Sequence, residues 1–271
     1  MDGVDRMTSI TVKSLSFYYK KEDPILTDIS LTFDQRTTAI IGQNGAGKTT
    51  LVKLLKGLLK PASGEIWIND QDTRVVSVAK LAGYIGLVFQ NPNDQIFKSK
   101  VIDEVMFGPL NVGQPKEEAI TNSMNALLMV GMEDKKDDHP YDLSLSERKL
   151  ISIASIIAMN TDIVIFDEPT IAQDYAGKET IKRVIHDLQK KGKWVITIIH
   201  DMDFVAETFA RTIVLANGKI LLDGTTREIF LQKDVLVQAG LNLPHVTQLG
   251  YLLEKNKTVL TIDEFIKDSK L

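Results

Sequence analysis

The first 60 residues carry three different patterns of apolar and polar positions, and each predicts a different element. Residues 10–19 (ITVKSLSFYY) and 25–33 (ILTDISLTF) alternate between apolar and polar side chains, which is typical of antiparallel strands. The run TTAIIG at 37–42 is largely apolar and ends in glycine, as expected of a buried parallel strand. A helix is predicted from near Lys48, because apolar residues then recur on one face. The leucines of this stripe are Leu51, Leu54, Leu55 and Leu58.

Further apolar runs predict three more buried strands. They are IGLVFQ at 85–90, DIVIFDE at 162–168 and WVITIIH at 194–200. Between 91 and 160 the pattern is mainly helical, and an amphipathic helix is predicted near 177–191. The buried strands are therefore separated by helical segments, as in sheets whose strands run parallel.

These elements predict an α/β fold with a mostly parallel central sheet and an N-terminal antiparallel β part. Asn217-Gly218, between two strand-like runs, also predicts a β-hairpin. We expect one domain at 1–232 that contains a helical subdomain at about 91–160. A small C-terminal extension at 233–271 follows it, with a pattern of its own.

The composition narrows the possible function classes. The chain has 271 residues, of which 44% are hydrophobic, enough for one large domain with an appendage. A net charge of -4 offers no broad cationic surface, so we expect no nucleic-acid partner. The absence of cysteine excludes disulfides and thiolate metal sites. No apolar run approaches the ~18 residues that cross a bilayer, and the N-terminus lacks the apolar core of a signal peptide. We therefore expect a cytoplasmic protein whose role at a membrane depends on a partner.

The segment GQNGAGKT at 42–49 fits the phosphate-binding pattern G-x-x-x-x-G-K-[ST] in full. Glycines let backbone N–H groups approach phosphate oxygens, and the following helix adds its positive end. Lys48 would bind the β- and γ-phosphates, and Thr49 would offer a hydroxyl to Mg²⁺. The candidate ATP-binding residues here are Gly42, Asn44, Gly45, Ala46, Gly47, Lys48, Thr49 and Thr50. The motif does not define the reaction, since a small-molecule kinase would also carry it.

Candidate catalytic residues close the buried strands downstream of this loop. Asp167 and Glu168 follow an apolar run, and the carboxyl ends of parallel strands face the ligand crevice. Asp167 is suited to hold Mg²⁺ through its water shell, and Glu168 to act as the general base for the attacking water. His200 closes a second strand, where it could contact the γ-phosphate and orient that water. Gln90 closes a third and could reach both the metal and the water.

The order and spacing of these motifs resemble an ABC-type ATPase over roughly residues 10–230. The resemblance implies a cassette that hydrolyses ATP with Mg²⁺, in which Tyr19 stacks on adenine and Asp174 is the acid of the D-loop. FQNPNDQIF at 89–97 is similar to the Gln-loop segment of the ATPases of energy-coupling factor (ECF) transporters, which import vitamins and metals. The tail LPHVTQLGYLLEKN…TIDEFI, from 243 onward, resembles their C-terminal extension.

This closer resemblance implies a set of partners and a location. The ECF ATPases pair as dimers and bind helices of a transmembrane coupling protein, which here would contact Gln90–Phe97. A separate membrane protein selects the substrate, so which vitamin or metal ion is carried stays open. The chain would then lie at the cytoplasmic face of the cell membrane as a peripheral protein. Residues 233–271 would help the two ATPases to dimerise.

One motif, LSLSERK at 143–149, departs from the family pattern LSGGQ. In the family this segment covers the γ-phosphate bound by the other subunit, and its glycines allow close backbone approach. Ser144 is retained as a candidate phosphate contact. The replacements are Leu145 and Ser146 for the glycines, Glu147 for the glutamine, and Leu150 for the usual basic residue. The same letters fit the capping box S-x-x-E, so the segment should still start a helix well.

The chain thus combines an intact phosphate loop, Glu168 and His200 with a degenerate LSLSERK segment. This combination predicts a heterodimer with a second ABC ATPase that carries an intact signature. A non-catalytic, regulatory nucleotide-binding subunit is one alternative, although Lys48, Glu168 and His200 are all present. A small-molecule kinase fits the Asp-Glu pair poorly. A soluble ABC ATPase of DNA repair or translation fits the acidic balance and single cassette poorly.

Overall fold

The computed structural model describes residues 9–253 and 258–269. Residues 1–8 of the predicted main domain, and 254–257 and 270–271 of the predicted extension, lie outside the described residues. The strands are β1 Ile10–Lys20, β2 Asp23–Phe33, β3 Thr38–Ile41, β4 Ser63–Ile68, β5 Gln71–Asp72, β6 Ile85–Val88, β7 Ile163–Asp167, β8 Trp194–Ile198, β9 Arg211–Ala216 and β10 Lys219–Thr225. The helices are α1 Lys48–Leu55, α2 Val78–Ala82, α3 Val101–Asn111, α4 Lys116–Val130, α5 Leu145–Ile157, α6 Tyr175–Lys190, α7 Met202–Thr208, α8 Thr226–Phe230, α9 Lys233–Gln238, α10 His245–Leu252 and α11 Ile262–Ser269.

The N-terminal strands form an antiparallel sheet in the order β2-β1-β4-β5. Val12 on β1 pairs with Leu31 on β2 and with Ile66 on β4, and all three side chains are buried. Directly opposed residues share one face of a sheet, so these three mark the face that packs inward. The antiparallel start predicted from the alternation is confirmed.

The central sheet has the order β10-β9-β3-β8-β7-β6, and every neighbouring pair is parallel except β10 with β9. Asn217 and Gly218, both with positive φ, join that antiparallel pair, so the predicted hairpin and the mostly parallel sheet are confirmed. The carboxyl ends of β3, β6, β7 and β8 meet at one edge. The loops that follow these strands therefore lie around one crevice.

Both faces of the central sheet are covered. Ile163 and Ile165 of β7 enter a core that contains the antiparallel sheet and α1, whereas Val164 and Phe166 pack against helices on the other face. Fully burying such a side chain contributes roughly 1.5–3 kcal/mol. This double burial explains why the strands read as continuous apolar runs.

The segment predicted as a helical subdomain, 91–160, contains α3, α4 and α5, with short 3₁₀ turns at Pro92–Asp94, Glu133–Lys135 and Pro140–Asp142. These helices pack on one another and on the central sheet through one shared core. The predicted helix near 177–191 is α6, which begins two residues earlier.

Predicted element ends differ from the structure at α1, β6 and β8. Gly57 has φ 75° and ends the first helix at Leu55, so Leu58 lies beyond it and is exposed; its place on the buried stripe was wrongly predicted. β6 ends at Val88 and β8 at Ile198. Gln90 and His200 therefore follow their strands instead of closing them, because strand pairing stops before the apolar run does.

The C-terminal extension packs against the helix that follows His200. The backbone N–H of His245, at the start of α10, donates to Asp203 of α7 at 2.7 Å, and the imidazole Nδ1 contacts the same carboxylate. The proposed boundary at residue 232 falls between α8 and α9. Over residues 9–253 and 258–269, a search for a helix with the length and apolar character of a membrane span found none.

Candidate nucleotide-binding and hydrolysis site

A cleft of about 390 Å³ opens at the carboxyl edge of the central sheet. It is lined by Tyr19, Ile25, Asn44, Gly45, Gly47, Lys48, Thr49, Thr50, Gln90, Glu168, Ile171 and His200. These residues come from segments distant in sequence, and ten of them belong to the predicted nucleotide and catalytic set. We call this set of lining residues the nucleotide cleft.

The phosphate loop runs from β3 to α1 and leaves the helix start open. Gly47, which precedes the helix, has φ 100°, and a Cβ there would lie 2.6 Å from Cδ2 of Leu26. A side chain at Gly47 would therefore be strained and would clash. No side chain caps α1 at Gly47. Its first N–H groups and the helix dipole are thus available to an anion.

Lys48 lies within its own loop. Its ammonium donates to the carbonyls of Gly42 at 2.8 Å and Gln43 at 2.9 Å. Burial lowers the pKa of Lys48, while the nearby Glu168 and Asp167 carboxylates oppose that shift. The side chain is held beside the loop by contacts that phosphate oxygens can replace.

The oxygen donors beside Lys48 fit Mg²⁺. The Thr49 hydroxyl lies 3.5 Å from Oδ1 of Asp167, and Gln90 lines the same cleft. Burial raises the pKa of Asp167, and the Thr49 hydrogen bond and the lysines Lys149 and Lys48 lower it. Mg²⁺ usually takes one or two carboxylates together with substrate phosphates and water. This sparse set therefore suits it, although the described residues hold no cluster of three or more His, Cys, Asp or Glu ligands.

Glu168 is held in an unusual conformation directly after β7. Its φ is 52°, its backbone N–H donates to the carbonyl of Ile198 at 3.0 Å, and its side chain is buried. Left-handed backbone in a residue other than glycine is costly and often occurs at functional sites. Burial raises the pKa of Glu168 to about 7, against the opposing charge of Lys48. A carboxylate with this pKa can accept a proton from water near neutral pH.

His200 contacts Glu168 directly, with Nε2 3.0 Å from Oε1. Burial lowers the pKa of His200, and the positive charge of Lys48 lowers it further. A pKa below the ordinary value leaves the imidazole mainly neutral at pH 7, so this close contact is not an ion pair at that pH. His200 thus lies against Glu168 without placing a positive charge beside it.

Gln90 is positioned through its backbone. The ammonium of Lys149, buried to 1% exposure, donates to the carbonyls of Phe89 and Gln90, both at 2.8 Å, and to that of Asp167 at 3.3 Å. The sequence reasoning missed Lys149. The signal was a lysine one helical turn before Ile153 on the buried face of α5, a position where an unpaired charge is unusual.

The remaining candidates occupy the edges of the cleft. Tyr19 is 60% exposed at the cleft mouth, and its hydroxyl lies 3.5 Å from Oγ1 of Thr50. Asp174 caps α6, where its carboxylate accepts the N–H of Gly177 at 2.8 Å. The predicted site residues that do not line the nucleotide cleft are Gly42, Ala46, Ser144, Asp167 and Asp174.

The segment LSLSERK at 143–149, which we call the covering segment, starts α5 with a complete capping box. Both the backbone N–H and the hydroxyl of Ser144 donate to Oε2 of Glu147, at 2.8 and 2.7 Å. The Ser144 oxygen in turn accepts the Glu147 N–H at 3.3 Å. Hydrogen bonds from Ser144 lower the pKa of Glu147, so this carboxylate is ionised. The Glu147 carboxylate therefore already occupies both the backbone N–H and the hydroxyl donor of Ser144.

Two other features restrict the covering segment. Leu145 is 41% exposed where the family has glycine. Ser146 is bonded to Gln173, beside Asp174: its hydroxyl donates to Oε1 at 3.0 Å and its carbonyl accepts from Nε2 at 3.1 Å. Ser144 is thus bonded within the covering segment, and Ser146 is bonded to the segment before α6.

Comparison with known proteins identifies the class. A family model described as ABC transporter matches residues 26–171, which is more than half of the chain. The chain therefore belongs to the ABC transporter family, and it is an ABC-type ATPase. The predicted cassette fold is confirmed by similarity to solved ABC cassettes.

Within this family the chain resembles energy-coupling factor transporter ATP-binding proteins. EcfA of Methanocaldococcus jannaschii is 37% identical over 256 residues, covering 93% of this chain and 92% of the relative. EcfA1 of Caldanaerobacter subterraneus subsp. tengcongensis is 38% identical over 270 residues, covering 95% and 97%. The sequence-based recognition of an ECF-like ATPase is thereby confirmed.

Two solved structures place the fold in the same class. The cbiO1 protein of Clostridium perfringens, part of the ABC transporter complex cbiONQ, superposes with a TM-score of 0.76 at 32% identity, covering 90% of this chain and 98% of that one. The ATP-binding cassette MJ0796, a dimer bound to ADP and Pi after hydrolysis, superposes with a TM-score of 0.73 at 25% identity, covering 80% and 99%.

Proposed function

We propose that this chain is the ATP-hydrolysing subunit of an ECF-type importer for a micronutrient, a vitamin or a transition-metal ion. It works as a heterodimer with a second ABC ATPase whose signature segment is intact. The observation that carries the proposal is the contrast between the nucleotide cleft, whose catalytic residues are all present, and the covering segment, which departs from the family pattern. Nε2 of His200 lies 3.0 Å from Oε1 of Glu168 within the nucleotide cleft, while Ser144 of the covering segment donates to Glu147. The names of the EcfA relatives support the transport role.

The hydrolysis follows from the geometry of the nucleotide cleft. The phosphates of ATP lie against the start of α1 and the ammonium of Lys48. Glu168 accepts a proton from the water that attacks the γ-phosphate in line, and His200 holds the Glu168 carboxylate in orientation. Bound Mg²⁺ supplies charge neutralisation at the β- and γ-phosphates, and Thr49, Asp167 and Gln90 would hold it. The exposed ring of Tyr19 stacks on adenine.

The covering half explains the need for a different partner. In a dimer of cassettes, each nucleotide lies between the phosphate loop of one subunit and the covering segment of the other. A triphosphate over this chain's covering segment would meet the Glu147 carboxylate instead of free donors. Like charges at short range are unfavourable, and the Leu145 side chain also prevents close backbone approach. Two copies of this chain would therefore build two poorly covered sites.

A second cleft supports the proposed contact with a transmembrane coupling protein. It has a volume of about 380 Å³ and lies between α2, α3 and α5. We call it the coupling groove; it is lined by Ala79, Ala82, Gln95, Phe97, Glu104, Phe107, Gly108, Asn111, Val112, Ser155, Ile156 and Met159. Its largely apolar lining and open shape suit the apolar side of a helix. It includes the end of the segment Gln90–Phe97 that the resemblance assigned to this contact.

Contacts within the groove hold its rim in shape. The rings of Phe97 and Phe107 meet edge to face with centroids 4.7 Å apart, and Nζ of Lys98 lies within 5.0 Å of each ring centroid. The buried Glu104 carboxylate accepts the backbone N–H groups of Phe97 and Lys98 at 3.0 and 2.8 Å. Two exposed aromatic rings, one on the loop before α3 and one on α3 itself, are the kind of anchor that dominates an interface.

Replacing Phe107 by Glu should separate the chain from its membrane partner and leave ATP binding unchanged. The new carboxylate would be desolvated under a docked helix, and the aromatic anchor would be lost. We expect recovery of the coupling protein with the tagged chain from membranes to fall at least about tenfold. Ile120→Glu is the matched control, because Ile120 is an equally exposed apolar residue of the same helical subdomain outside the groove. Equal recovery with Phe107→Glu and wild type would remove the groove from the proposal.

The C-terminal extension is the proposed dimerisation element. Leu252 of α10 and Ile262 of α11 are 80% and 62% exposed. Such side chains on neighbouring short helices favour burial against another subunit. We therefore keep residues 233–271 as part of the proposed contact with the second ATPase.

A further inference from the structure

Lys149 is a buried cation whose described contacts are carbonyl oxygens. It lies on the first turns of α5 and donates to the carbonyls of Phe89, Gln90 and Asp167 at 2.8, 2.8 and 3.3 Å. No salt bridge is found for it within residues 9–253 and 258–269; Asp167 and Glu168 act on its ammonium only through their charge. It thus joins three elements at one point: α5, the loop after β6 and the end of β7.

The cost of this arrangement indicates that it does more than fill space. Burying an ammonium group is unfavourable unless its donors are all bonded. An apolar side chain of similar length would fill the same volume without that cost. The carbonyls of Phe89 and Gln90 in turn gain a charge-assisted hydrogen bond, which is stronger than a neutral one. These hydrogen bonds therefore fix the position of the loop that carries Gln90 relative to α5.

A second side chain bonds the backbone of the same residue, Phe89, through its N–H group. The backbone N–H of Phe89 donates to Oε1 of Gln95 at 3.1 Å, and Nε2 of Gln95 donates to the carbonyl of Ser152 and the hydroxyl of Ser155, both at 2.8 Å. Gln95 also lines the coupling groove. The segment 89–95 is thus bonded to α5 at both ends.

We propose that Lys149 is a positioning residue that fixes Gln90 and the carboxyl end of β7 to helix α5. Because α5 begins with the covering segment, the cover over the partner's nucleotide and Gln90 of this chain's own site then move as one body. Lys149 acts through the backbone of Gln90 and Asp167, and it contacts neither nucleotide nor metal. The inference rests on the proposed roles of Gln90 and Asp167 toward Mg²⁺.

Lys149→Met tests the proposal, with Lys56→Met as a matched control. Burial lowers the pKa of both lysines to about 8, and Lys56 donates to the carbonyl of Ile85 at the opposite end of β6. Both variants lose a buried ammonium, but only the first releases Gln90. We expect Lys149→Met to weaken binding of a fluorescent ATP analogue at least about tenfold in Mg²⁺ and less than about twofold in EDTA. Lys56→Met should lower Tm and leave the Mg²⁺ dependence unchanged.

Three outcomes would overturn the proposal. The first is an unchanged Mg²⁺ dependence in Lys149→Met. The second is the same loss of Mg²⁺ dependence in Lys56→Met, which would make the effect one of general stability. Should Lys149→Met fail to fold, Lys149→Arg keeps the charge with differently placed donors. In that case, the third outcome that would overturn the proposal is a Mg²⁺ dependence identical to wild type in both Lys149→Arg and Gln95→Leu.

A double-mutant cycle with Gln90→Ala separates this inference from the proposed function. If Lys149 acts through Gln90, Lys149→Met should add less than about twofold to the effect of Gln90→Ala on Mg²⁺-ATP binding. Fully additive effects would overturn the positioning of Gln90 by Lys149 and leave the role of Gln90 intact. If Gln90→Ala alone binds Mg²⁺-ATP as wild type does, the proposed role of Gln90 fails, and the positioning role that rests on it fails with it.

Discussion

Glu168→Gln should abolish nearly all ATP hydrolysis by the complex of this chain with its partner, at least roughly 100-fold, while ATP binding is retained. Gln has nearly the same size and can keep the contact with Nε2 of His200, so the cleft should keep its shape. It cannot accept a proton from water at neutral pH. Phosphate release measures the loss, and binding of a fluorescent ATP analogue measures what is retained.

The size of that loss is informative because only one of the two nucleotide sites in the proposed heterodimer has both the catalytic residues and an intact covering segment. In the proposed pair, the partner's nucleotide would lie under this chain's covering segment and should contribute little turnover. The equivalent Glu→Gln change in the partner should therefore remove only a small part of the activity. Glu117→Gln, at an exposed position of α4, controls for the loss of one carboxylate. Loss of only half the activity with Glu168→Gln would mean that both sites hydrolyse ATP and would contradict the account.

Restoring the signature should allow this chain to dimerise with itself. The triple variant Leu145→Gly, Ser146→Gly, Glu147→Gln removes the bulky side chain and the carboxylate that binds Ser144. Gln at the third helical position still completes a capping box, and two glycines in the first turn cost roughly 1 kcal/mol each. α5 should therefore survive the change. In a Glu168→Gln background we expect ATP to convert the chain from monomer to dimer, as measured by light scattering after size exclusion.

Two controls define that experiment. Adding Lys48→Ala removes the ammonium that binds the phosphates and should return the triple variant to monomer. Glu147→Gln alone should give a smaller gain, because Leu145 still blocks backbone approach. A triple variant that stays monomeric at saturating ATP would show that the covering segment is not what prevents self-association.

The fold was predictable because a strand that is buried on both faces has a continuous run of apolar residues in its sequence. β7 and β8 are covered on both faces, so their apolar runs stand out in the sequence. The end of a strand is harder to predict, because an apolar run can continue past the last paired residue. Ile199 continues the apolar run beyond β8 but lies outside it, which is why His200 was expected to close the strand.

The site was partly predictable for a similar reason. The residues of the phosphate loop are contiguous in sequence, and so are Asp167 and Glu168. Each motif can therefore be recognised from neighbouring positions. The capping box of Ser144 and Glu147 was also read from spacing, and the structure confirms it. The contacts of Lys149 join residues 59 and 60 positions apart, and no local pattern records such a separation.

The most direct test of the central claim is the steady-state ATPase rate of this chain alone and mixed with its partner ATPase. An intact catalytic half without an intact cover predicts a mixture that is roughly 100-fold faster than this chain alone, by the usual cost of losing preorganised phosphate donors. Glu168→Gln in this chain should then eliminate the gain. Equal rates per site for the lone chain and the mixture would contradict the account.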